Sequence, residues 1–95
     1  MVNTGSLTQY RLTDHAKEEM RRRQISEDQV ARILFTPEQV EMIREGRRVH
    51  QSLIAEGSKP STYLLRVFVD VDREPPEVVT VYRTSKISKY WRGEL

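Results

Sequence analysis

The chain has 95 residues, 37% of them hydrophobic and 32% charged, with 16 Lys and Arg against 14 Asp and Glu. This is the length of one domain, its apolar runs are far too short for a membrane-spanning helix, and the absence of cysteine excludes a disulfide framework, a thiolate nucleophile and a Cys-ligated metal. Two histidines do not suggest a metal site either, so no cofactor and no membrane partner is expected, and Met1–Gln9, with neither a basic nor an apolar segment of signal type, points to a cytoplasmic location.

Leu7 to Leu12 reads as a short extended segment. Thr13 stands where an N-cap belongs, with Asp14 favourable in the first turn, and Ala16, Met20 and Arg23 follow at helical spacing. Ser26, with Gln29 three residues on, is a capping-box pattern that opens a second helix, and Val30, Ile33 and Leu34 form its apolar face. Thr36-Pro37 ends it, because a residue before proline avoids the helical region. The apolar period then changes to two through Val40 and Met42. Glu45-Gly46 signals a turn, and Val49, Gln51 and Leu53 alternate with Arg48, His50 and Ser52. Glu56 to Ser61 is a loop by composition, and Thr62 to Val71 and Glu77 to Tyr82 are strong strands rich in β-branched residues. Lys86 to Arg92 reads as a short terminal helix.

Helices first and strands in a row afterwards predict an α+β domain over residues 1–95. Two N-terminal helices, Thr13 to Arg23 and Ser26 to Thr36, should pack on one face of a four-stranded, mostly antiparallel sheet. Leu65, Val67, Val69, Val79 and Val81 are the apolar set expected under the helices. Leu64, Arg66, Phe68, Val78, Thr80 and Tyr82 are expected on the other, more open face.

Charge is uneven along the chain. Arg11 to Arg23 carries five basic and three acidic residues, Glu27 to Glu45 two and five, and Arg83 to Leu95 four and one. Basic ends around an acidic middle permit a polyanion site built from both ends, and equally describe an ordinary solvated surface. His15, sharing a helix face with Glu19 and Arg22, can move a proton near neutral pH or simply pack at a helix start. Arg66, set among apolar strand residues, must either pair with a carboxylate, Asp70 or Glu41 being the candidates, or face an open site. Tyr82, Arg83, Lys86, Lys89 and Tyr90 interleave basic and aromatic side chains, a combination that suits phosphate contacts and base stacking. Arg22 and Arg48 are further candidates for a nucleic-acid backbone, since arginine forks match phosphate oxygens.

His15-Ala16, Met20, Arg23, Ile25-Ser26 and Asp28 with Val30, together with Val78-Val79-Thr80-Val81-Tyr82, Ser85-Lys86 and Tyr90-Trp91, resemble the opening and the close of a small bacterial domain family of unknown function, over about residues 9 to 92. That family in turn resembles the RelE-like and BrnT-like ribonuclease toxins of toxin–antitoxin pairs. The resemblance implies metal-independent RNA cleavage through 2′-hydroxyl attack, RNA (including ribosome-associated mRNA) as substrate, a cognate antitoxin protein as partner and homodimers as one admissible state. It matches His15, Arg66, Tyr82, Arg83, Lys86 and Tyr90 to functional positions of those toxins; His15, Arg66, Tyr82 and Lys86 are read as catalytic, and Arg83 and Tyr90, joined on charge alone by Arg22, Arg48 and Lys89, as RNA-binding. One departure stands out: BrnT-like toxins carry a Glu before the last Tyr, and none lies between Arg83 and Tyr90. A binding module for RNA or DNA that lacks the chemistry, or a protein-interaction module, is the alternative.

Overall fold

In a computed structural model that describes residues 6–56 and 61–94, the elements run β1 (Arg11–Leu12), α1 (Asp14–Arg23), α2 (Glu27–Phe35), β2 (Gln39–Arg44), β3 (Arg47–Glu56), β4 (Ser61–Asp70), β5 (Glu77–Thr84) and α3 (Ile87–Tyr90). Residues 57–60 of the expected loop lie outside the described residues.

The helix boundaries follow from side-chain capping. The Thr13 hydroxyl accepts the Ala16 N–H at 3.1 Å, satisfying one of the donors a helix start leaves unpaired. Gln24 then turns left-handed (φ 56°), and the Ile25 N–H returns to the Met20 carbonyl at 2.8 Å, which closes α1 and tucks Ile25 into the core. Ser26 and Gln29 form a reciprocal capping box with both bonds at 3.1 Å. Thr36 leaves the helical region one residue before Pro37.

The sheet has five strands in the order β1-β5-β4-β3-β2. β2 to β5 form the expected antiparallel meander, and β1 adds a fifth strand of two residues, parallel to β5 through Arg11↔Glu77 and Leu12↔Val78. The β2–β3 turn needs Gly46: its φ is +84°, and a Cβ there would stand 2.6 Å from an Asp72 carboxylate oxygen.

α1 and α2 pack on one face. Ala16, Met20, Ile25, Val30, Ile33 and Leu34 meet Leu65, Val67, Val69, Val78 and Val81 in one apolar cluster. Complete burial of each aliphatic side chain contributes roughly 1.5–3 kcal/mol. Val79, expected in this set, gives way to Val78: the β4–β5 register shifts at Phe68/Val69, with Phe68 opposite Thr80 but Val69 opposite Val78, so Val79 is an extra residue and the alternation reverses beyond it. Arg48, His50 and Ser52 also lie on the helix-bearing face, opposite Val69, Val67 and Leu65.

Candidate functional site

The other face of the sheet carries a polar row that crosses four strands. Gln39 of β2 is the register partner of Gln51 in β3, Gln51 of Arg66 in β4, and Arg66 of Tyr82 in β5. Hydrogen bonds run along the row. Gln51 Nε2 donates to Gln39 Oε1 at 2.8 Å, Arg66 Nε to Gln51 Oε1 at 2.9 Å, and Arg66 Nη1 to the Tyr82 hydroxyl at 2.7 Å. Tyr90 of α3 lies over the middle, its ring centroid 4.2 Å from the Arg66 guanidinium carbon, with Phe68 and Tyr82 at 5.1 and 5.7 Å. Tyr82 stacks on Phe68, and Tyr90 meets Tyr82 edge-on.

The aromatic cover is held by polar contacts. No residue of α3 is itself buried. The segment is fixed where Gln51 Nε2 donates to the Tyr90 carbonyl at 3.2 Å and where Gln39 pairs with Arg92 in both directions, Nε2 to the carbonyl at 2.7 Å and N–H to Oε1 at 3.2 Å. Arg92 also pairs with Glu41. A groove of about 470 Å³ runs beside the row, lined by Gln39, Val40, Glu41, Met42, Gln51 and Arg92.

Arg66 is 6% exposed, yet among the described residues no carboxylate lies within ion-pair distance of it. Both expected partners are engaged elsewhere. Asp70 binds Arg47, with oxygens at 2.6 and 3.0 Å, and Glu41 binds Arg92; these hydrogen bonds hold each carboxyl below its ordinary pKa. The Glu41 carboxyl still feels the Arg66 charge at longer range, but the direct ligands of the guanidinium are an amide oxygen, a phenol and aromatic faces, a setting that suits an incoming anion. The two phenols beside it diverge. Burial pushes Tyr82 up, against the downward pull of Arg66, while hydrogen bonding with Tyr82 and then Lys89 draws Tyr90 down.

The structure divides the residues singled out from the sequence. Arg66, Tyr82 and Tyr90 come together, with the exposed Lys89 beside the Tyr90 ring at 5.3 Å and the exposed Lys86 at the start of α3. His15 does not join them. It belongs to α1, on the opposite side of the sheet, where its Nε2 lies 3.4 Å from Glu19 Oε1; that oxygen also accepts the Val81 N–H at 3.1 Å, beyond the point where β1 stops covering β5. Arg83 also falls on the helix side, donating to the Arg23 carbonyl at 2.8 Å and pairing with Glu56 at 2.7 Å. Arg48 lies on that side as well, and Arg22 is exposed on α1. Gln39 and Gln51 were not foreseen. Their signal in the sequence is faint, an amide at an alternating position of each strand.

A family model described as Domain of unknown function (DUF4258) matches residues 12–83, about three quarters of the chain. Arg66 and Tyr82 fall inside the match, and Lys86, Lys89 and Tyr90 lie beyond it. No curated protein matches the chain, and no solved structure does.

Proposed function

We propose that this chain, which belongs to the family of the Domain of unknown function (DUF4258), is a metal-independent endoribonuclease whose working groups are Arg66, Tyr90 and Tyr82. The observation that carries the reading is Arg66: a buried cation with no carboxylate among its described partners, flanked by two phenols whose proton affinities are pushed apart. Divergent titrating neighbours are what acid–base pairs need. Tyr90, the more acidic phenol, takes the proton of an RNA 2′-hydroxyl. The 2′-oxygen bonds to the adjacent phosphorus, the bond to the 5′-oxygen breaks, and Tyr82 supplies that oxygen's proton. Arg66 neutralises the charge that gathers on the phosphoryl oxygens. The substrate brings its own nucleophile and leaves as a 2′,3′-cyclic phosphate and a 5′-hydroxyl. Lys86 and Lys89 draw the backbone toward the edge of the site, and the phosphate reaches Arg66 past the Tyr90 ring.

The opening and closing motifs resemble a small domain family of unknown function, and the likeness of that family to RelE-like and BrnT-like proteins extends the reading to a toxin held by an antitoxin protein. His15 has no part in the proposed step. The test is cleavage of an RNA oligonucleotide in chelator, beside an oligonucleotide of the same sequence with a single 2′-deoxy position. Cleavage confined to the ribose-bearing strand, lowered about 10²–10⁴-fold in Tyr90→Phe with loss of the alkaline rise in rate, supports it. RNA binding without cleavage moves the assignment to a binding module.

A further inference from the structure

We infer that Gln51 is a positioning residue: its neutral amide aims the Arg66 guanidinium and ties it to the C-terminal segment while leaving the arginine's positive charge for phosphate. The identity of the ligand as RNA rests on the reading above; the role of Gln51 toward an anion at Arg66 does not.

Gln51 is fully buried, and both ends of its amide are engaged: Oε1 accepts from Arg66, and Nε2 donates to Gln39 and to the Tyr90 carbonyl. The orientation of that amide is dictated from outside. A backbone N–H only donates and a carbonyl only accepts, so the double pairing with Arg92 fixes which end of Gln39 is oxygen. The Gln39 oxygen then requires a donor from Gln51, which leaves the Gln51 oxygen facing Arg66. The backbone of Arg92 thus sets the direction of every hydrogen bond along the row as far as the guanidinium.

The same geometry explains why the residue is glutamine. A glutamate at position 51 would still accept from Arg66, but its second oxygen would face the Gln39 oxygen and the Tyr90 carbonyl with no proton to offer. It would also place a buried counter-charge against Arg66 and remove the reason for an outside anion to bind. Only a neutral group with one acceptor and two donors aims the cation without cancelling it.

The experiment follows the Arg66 Nε–H resonance by NMR while inorganic phosphate is added, and in parallel measures RNA affinity against salt concentration. In the parent, phosphate shifts the resonance. In Gln51→Glu that shift is lost and the salt slope for RNA flattens by about one unit, as for loss of one phosphate contact. Gln51→Met, neutral and of similar volume, weakens RNA affinity but keeps the parent's slope, and it decides the matter alone if Gln51→Glu does not fold. A parent-like phosphate response in Gln51→Glu, or a parent-like affinity in Gln51→Met, overturns the inference, as does a parent that gives no response to phosphate. A parent that responds to phosphate but neither binds nor cuts RNA overturns the ribonuclease reading and leaves the role of Gln51 standing.

Discussion

The two faces of the sheet each carry a buried nitrogenous side chain, and their surroundings differ completely. On the helix-covered face His50 is fully buried between Val40 and Val67, and among the described residues neither ring nitrogen has a hydrogen-bond partner. On the other face Arg66 is nearly as buried but is held by Gln51, Tyr82 and three aromatic rings. Burial without partners keeps a histidine neutral and inert. Neutral partners aim the Arg66 guanidinium and, among the described residues, leave it without a carboxylate at ion-pair distance. The helix-covered face buries the main apolar cluster, and the other face gathers Arg66, Tyr82 and Tyr90 around one polar row.

The largest effect that sharpens this contrast is on the apolar side. Leu34, fully buried in the core, should destabilise the fold by about 2–5 kcal/mol when changed to alanine, read by urea unfolding. The rate of cleavage per folded molecule should stay unchanged; a matching loss of rate would mean that the faces are not independent.

His50 gives the next effect. Burial, and then the nearby Arg48 charge, lower its pKa from 6.5 to about 4. The folded protein binds this proton less readily than the unfolded chain. Stability is therefore full above pH 6.5 and falls as pH drops toward 4, by about 3 kcal/mol in all. Unfolding measured across that window should show the loss, and His50→Leu should flatten it. An equally steep fall in His50→Leu would assign the acid sensitivity to the carboxylates of the ion pairs.

A smaller effect belongs to the rim of the polar face. Lys89→Ala should weaken RNA binding modestly and reduce the slope of log affinity against log salt by about one unit. An unchanged slope in a fluorescence titration would place the RNA backbone elsewhere.

Much of the helical layer was legible in the sequence, because capping is local: Thr13, Ser26 with Gln29, and Pro37 mark their boundaries within a few residues. That no carboxylate pairs with Arg66 among the described residues was legible only as a choice: Asp70 lies four residues along the same extended strand, about 13 Å away, and pairs with Arg47, while Glu41 pairs with Arg92. The bulge at Val79 was not legible; five β-branched or aromatic residues in six alternate plausibly in either register. His15 was grouped with Arg66 on residue chemistry and resemblance, although the apolar pattern already put the helices under Val67 and Val69, on the face opposite Arg66. The amide row escaped notice for another reason. Gln39 and Gln51 meet each other, Arg66 and Tyr82 only across strands, and neither amide stands out in its own segment.

The claim that the polar face does chemistry turns on one comparison, Arg66→Gln against the parent, with RNA cleavage in chelator and thermal unfolding measured on the same samples. The account predicts a rate lower by about 10²–10³-fold, the effect of removing one preorganised group at a developing charge, with a melting temperature close to the parent's. A parent that cuts RNA and an Arg66→Gln variant that cuts it equally fast would contradict it.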